Sequence, residues 1–79
     1  MDEQWMPLNA LPVGGRAVVR AVRGRGPGRR RLRELGLVDG TTVEALGRSP
    51  SGDPVAYRFR GVVVALRGAQ AADVLCSAQ

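Results

Sequence analysis

The stretch Gly28-Arg29-Arg30-Arg31-Leu32-Arg33-Glu34-Leu35-Gly36-Leu37-Val38-Asp39-Gly40-Thr41 reads as a short helix, its stop signal and a tight turn into a strand. Isolated helices below about 12 residues are marginal in water, because nucleation is costly. This helix therefore exists only if the rest of the chain holds it. Leu32 and Leu35 form its apolar stripe, and Pro27 suits the first helical position, where a missing N–H costs nothing. Gly36 is placed to take the left-handed conformation that ends a helix. Leu37 then falls where a Schellman motif brings an apolar contact back to Leu32.

The remaining chain is cut into short strands. Arg16–Arg23 is the first, although Val18, Val19 and Val22 cannot share a face under a period of two without a bulge. Thr41–Leu46 is the second. Val55–Arg60 alternates cleanly, with Val55, Tyr57 and Phe59 inward and the arginines outward. Val62–Leu66 is apolar throughout and reads as a more fully buried strand, and Val74–Cys76 closes the chain. Leu8-Asn9-Ala10-Leu11 offers one helical turn able to plug an open end, and Ala69–Ala72 offers another. Gly24-Arg25-Gly26-Pro27-Gly28 and Gly47–Pro54 are turn-rich loops. Asp53 and Pro54 are turn residues first. Gly36, Gly40 and Gly61 sit where a turn or a positive φ is expected. About five strands with short helices fit a mainly β fold, a small, partly open SH3-like barrel. Residues 1–7 are expected to form a flexible tail and 8–79 a single domain.

With 79 residues, one core must carry the fold, and cores this small supply roughly 3–5 kcal/mol. The single cysteine, Cys76, excludes an internal disulfide, and with no histidine a zinc site fails on ligand count. Cys76 is read as a buried apolar residue. No histidine base, no paired carboxylates and no Walker-type loop are present, so the reading is non-enzymatic and without cofactor. The N-terminus lacks the basic and apolar regions of a signal peptide, and no apolar run approaches the ~20 residues of a membrane span. A cytoplasmic protein is the expectation.

The formal charge is +5, and all 12 basic residues are arginine. Such a balance points to an anionic partner: nucleic acid, lipid or an acidic protein surface. Arg29, Arg30, Arg31 and Arg33 gather on the short helix, with three of them expected in its first turn. There they oppose the helix dipole, at about 0.3–1 kcal/mol each. They are the candidate partner-binding residues, against the plainer reading of a solvated basic face. Leu32, Leu35, Gly36, Leu37, Gly40, Asp53, Pro54 and Gly61 are assigned structural roles.

Taken in order, Leu8-Asn9-Ala10-Leu11-Pro12-Val13-Gly14, Arg30 to Thr41, Gly52-Asp53-Pro54, Arg60 to Arg67 and Ala71 resemble the FeoA family over about residues 8–76. The resemblance implies an SH3-like barrel that is an accessory or regulator of ferrous iron transport. Its partner would be the cytoplasmic GTPase region of the membrane protein that carries Fe(II), a FeoB-like transporter. It implies no catalysis, and transition-metal binding only as a family-level association. Family members often carry Ser and Glu where this chain has Ala69 and Gln70, which is expected to strip the last helical turn of a cap worth about 0.5–2 kcal/mol. Two other readings remain open. One is a small basic nucleic-acid-binding barrel, disfavoured because Tyr57 and Phe59 are expected to face inward, leaving Trp5 to stack. The other is a self-associating regulatory module of the kind found in iron-dependent repressors, with a homo-oligomer as its consequence.

Overall fold

Alternation builds the sheet. In the strand Val55–Phe59, Val55, Tyr57 and Phe59 are buried while Arg58 is exposed. The computed structural model describes residues 4–79. In chain order the elements are β1 (Met6–Pro7), a 3-10 turn (Leu8–Ala10), β2 (Arg16–Val22), α1 (Gly26–Leu35), β3 (Thr42–Arg48), β4 (Val55–Phe59), β5 (Val62–Leu66), α2 (Gly68–Ala71) and β6 (Val74–Ala78). The strands form one antiparallel sheet in the order β1-β6-β2-β3-β4-β5.

One face of this sheet carries the core, made of Ala17, Val19, Val43, Ala45, Val55, Tyr57, Phe59, Leu66, Val74 and Cys76. Leu8 of the 3-10 turn, Leu11 just after it, Leu32 of α1, Leu37 beyond α1 and Ala71 of α2 complete it. The bulge that the valines of β2 demand is present: the register against β6 shifts between Val19 and Ala21. Val19 thereby stays buried and Val22 reaches the edge of the core.

The strand framework departs from the sequence reading in three places. The sheet has six strands where about five were expected, because Met6 and Pro7 pair with Cys76 and Leu75. That pairing takes Met6 and Pro7 out of the expected tail; residues 1–3 of the tail lie outside the described residues. The third concerns β5, which is not the most buried strand but the exposed edge: Val62 is 49% and Val63 57% accessible. Hydropathy alone suggested burial, yet among the described residues β5 has a neighbour on one side only, and just Leu66 is fully covered.

Candidate functional site

The arginine-rich corner rests on how α1 begins and ends. Arg25 stands extended before the first turn, and Gly26 and Pro27 enter the helix behind it. The far end is a Schellman motif. Gly36, at φ +114°, turns left-handed, the Leu37 N–H donates to the Leu32 carbonyl at 3.2 Å, and the Gly36 N–H donates to the Arg33 carbonyl at 3.0 Å. The Thr41 hydroxyl donates to the Gly36 carbonyl at 2.9 Å, satisfying that group as well. Leu32 and Leu37 are buried, and Leu35 packs half-buried against the core. Gly40, at φ +94°, sends its N–H to the Val19 carbonyl at 2.8 Å and so docks the turn on β2.

Arg29, Arg30, Arg31 and Arg33 are all exposed. Arg29 Nε donates to the Val22 carbonyl at 3.0 Å, fastening the helix start to the end of β2. Among the described residues the ion pairs lie elsewhere, at Arg20–Asp39, Arg58–Glu44 and Arg67–Asp53. Among the described residues none reaches Arg29, Arg30, Arg31 or Arg33, and Glu34 does not pair with Arg30.

The helix starts earlier than its arginines suggested. With Gly26 as the first residue, only Arg29 of the three stands in the first turn, and Arg33 lies in the last, where a cation is favoured. The dipole penalty expected for three arginines is therefore confined to one. What remains is a concentration of like charge.

Sequence reasoning placed Arg23 at the end of the first strand and Arg25 in a glycine-rich loop, but both extend the corner. The Arg23 N–H donates to the Asp73 carbonyl at 2.7 Å and its guanidinium to the Ala72 carbonyl at 3.2 Å. Alternation of arginine with glycine was the available signal. Between this loop, α1 and α2 lies a shallow pocket of about 180 Å³, bordered by Arg25, Arg29, Leu32, Gln70 and Asp73.

The other singled-out residues form a second, structural cluster. The Gly68 N–H donates to Asp53 Oδ1 at 2.7 Å, and Asp53 Oδ2 stands 3.5 Å from Arg67. Asp53–Pro54 is a cis peptide, and Gly61, at φ +79°, turns β4 into β5. The expected loss of a cap on α2 is overturned. Gln70 Oε1 accepts the Arg67 N–H at 2.9 Å, and Asp53 supplies the cap that the local sequence lacks.

Cys76 is fully buried, its thiol directed at the Met6 carbonyl at 3.5 Å, and burial raises its pKa. Tyr57 is buried with its hydroxyl 3.5 Å from the Leu8 carbonyl. Burial raises the phenol's pKa; Arg48 acts in the opposite sense, while Cys76 and Asp53 add to the rise. With Tyr57 and Phe59 inside, the surface offers Trp5, 48% accessible, as its exposed aromatic group. Among the described residues no three of His, Cys, Asp and Glu gather as metal ligands, and no helix is long and apolar enough to cross a membrane.

Residues 6–78 match the family model of the FeoA domain. The chain belongs to the FeoA family. A curated relative from Porphyromonas gingivalis, an Fe(2+) transport protein A/Fe(2+) transporter FeoB fusion protein, is 41% identical over 69 residues, covering 87% of this chain. The chain spans only 8% of that fusion's length. The FeoA-like protein of Clostridium acetobutylicum superposes with a TM-score of 0.88 at 31% identity, over 99% of this chain and 90% of that one. FeoA of Stenotrophomonas maltophilia, solved with zinc and described as a prokaryotic SH3 domain protein, gives 0.83 at 34% identity over 91% and 89%. The FeoA fold here is thus mainly β and SH3-like.

Proposed function

We propose that this FeoA-family chain is a non-catalytic, cytoplasmic accessory protein of ferrous iron transport, docking on the GTPase region of the Fe(II) transporter through Arg29, Arg30, Arg31 and Arg33. The observation that carries the reading is the Porphyromonas gingivalis relative, in which a segment like this chain is covalently joined to an FeoB transporter. Fusion of two functions in one protein is what a working contact between separate chains looks like when made permanent. The arginine corner supplies the means, because its cations find no carboxylate within the described residues. Complementary charge raises association rates and fixes orientation more than it raises affinity.

The test is binding to the immobilised soluble GTPase domain of the transporter, comparing wild type with a variant in which Arg29, Arg30, Arg31 and Arg33 are all Gln. The variant is expected to bind at least about tenfold more weakly at low salt, with the difference shrinking as salt screens the contact. Equal binding by both proteins sinks the arginine docking while leaving family membership untouched.

A further inference from the structure

Among the described residues the edge strand β5 has no partner on its outer side, and its sequence, Val62-Val63-Val64-Ala65-Leu66, holds neither charge nor proline. Sheet edges are ordinarily blunted by such residues, because a row of unpaired N–H and C=O groups is a template for another strand. We propose that β5 receives an extended segment of a partner protein by strand addition, and that this segment is apolar at its centre and acidic at its ends.

Geometry defines which groups are on offer. The β4–β5 hairpin turns through two residues, Arg60 and Gly61, closed by the pair Phe59 and Val62. In such a hairpin the closing pair is hydrogen-bonded and the pattern alternates from there. Val62, Val64 and Leu66 therefore bond inward to β4, whereas Val63 and Ala65 turn their N–H and C=O groups to the open side. Val63 and Ala65 stand opposite Arg58 and Ala56, on the face of the sheet away from the core. Beside them a shallow apolar depression of about 410 Å³ is lined by Leu46, Pro54, Ala56 and Ala65. A strand added here gains main-chain bonds from the edge and places alternate side chains over this depression, the division between affinity and specificity that strand addition uses.

Charge decides the occupant. Arg58 and Arg60 stand at one end of the edge, Arg67 follows the other, and Arg48 borders the depression. Glu44 and Asp53 offset two of these four cations. A second copy of the chain, itself carrying +5, would bring its own Arg60 beside Arg67, one position off direct opposition, in an antiparallel pair centred on Val64. Like charges so placed are repulsive, which lets the edge stay open without self-pairing. An incoming strand with carboxylates at both ends meets the same arginines as partners. This inference concerns the sheet edge and does not depend on the transporter reading or on the arginines of α1.

The probe is a capped peptide of alternating valine and threonine with paired glutamates at both ends, added to the full chain and followed residue by residue by amide NMR. Binding is expected to shift the Val63 and Ala65 amides and slow their exchange with solvent by about tenfold or more. A peptide with lysine for glutamate is expected to bind at least about tenfold more weakly. The same glutamate peptide N-methylated at alternate residues, which cannot pair with an edge, is expected not to bind, and this arm leaves the protein unaltered. Val63→Pro removes the outward N–H while sparing the bonds to β4, and is expected to abolish binding. Equal binding of the N-methylated peptide, shifts confined to α1, or a dimer of the free chain that Val63→Pro dissolves would each overturn the proposal.

Discussion

The aliphatic stem of Arg60 lies against Gly36, so close that a Cβ on Gly36 would stand 2.5 Å from Arg60 Cδ. This contact joins the end of α1 to the β4–β5 turn, elements far apart in sequence. Gly36 is thus required twice, by its φ of +114° and by the side chain laid over it. Gly61 and Gly40 are also left-handed, but a Cβ on either meets nothing within 4 Å. Gly61→Ala and Gly40→Ala therefore measure backbone strain alone, about 1 kcal/mol each. Gly36→Ala is expected to exceed them by roughly 0.5–1 kcal/mol, because Arg60 must leave its place. In an Arg60→Gly background that excess should vanish, a coupling that urea unfolding of the four proteins of the cycle resolves. An unchanged cost in that background would show that Arg60 contributes nothing to the requirement.

Asp53 is predicted to act as a cap more than as an ion-pair partner. Its carboxylate takes the Gly68 N–H at 2.7 Å, while the 3.5 Å pair with Arg67 is largely solvated. Removing a side-chain cap costs about 0.5–2 kcal/mol, whereas exposed ion pairs contribute about 0–1 kcal/mol. Asp53→Ala should therefore lose roughly 1 kcal/mol or more, Asp53→Asn should retain most of it, and Arg67→Gln should change little. Chemical denaturation at low and high salt checks the ranking. A strong salt dependence in wild type that Arg67→Gln removes would reverse it.

Alkaline pH is predicted to weaken the fold through two buried acids. Burial raises the pKa of both Cys76 and Tyr57, whose ordinary values are 9.0 and 10.0. The unfolded chain then loses these protons first. The stability they contribute is complete below those ordinary values and is lost as pH climbs through the raised, folded ones. Stability should fall from about pH 9 upward, at up to ~1.4 kcal/mol per pH unit for each group ionised only when unfolded. Urea midpoints from pH 8 to 11 for wild type, Cys76→Val, Tyr57→Phe and the double variant provide the measurement. The double variant should show the flattest profile, and parallel profiles would remove both residues as the cause.

Local signals in the sequence carried through to the structure, and non-local ones did not. The end of α1 was legible because Leu32, Gly36 and Leu37 satisfy one another within a single turn. The alternation of Val55, Tyr57 and Phe59 likewise needs no distant partner to be read. The exposure of β5 was illegible, since an apolar run of five looks alike at the centre and the edge of a sheet. The cap on α2 arrives from Asp53, 15 residues away, and nothing near Ala69 announces it. The short pairing of Met6–Pro7 with β6 spans nearly the whole chain. At the candidate site, the arginines were visible as a cluster, but the true start of the helix, set by Gly26 and Pro27, changed which of them meet the dipole.

That change yields the prediction on the arginines themselves. Arg30 and Arg31 stand beyond the first turn, exposed and without a carboxylate among the described residues, and Arg33 is exposed near the last carbonyls. Changing Arg30, Arg31 or Arg33 singly to Gln should leave stability within about 0.5 kcal/mol, as for ordinary surface positions. Arg29 differs, because its Nε bonds the Val22 carbonyl at 3.0 Å. Arg29→Gln should cost about 0.5–1.5 kcal/mol, the usual net worth of such a bond. Binding and stability can therefore be separated within one cluster. If docking uses the corner, Arg30→Gln with Arg31→Gln should weaken binding to the transporter's GTPase domain while the thermal midpoint stays fixed. Arg29→Gln should move both. A binding loss seen only with Arg29→Gln would trace the effect to the anchoring of α1 and remove Arg30 and Arg31 from the contact.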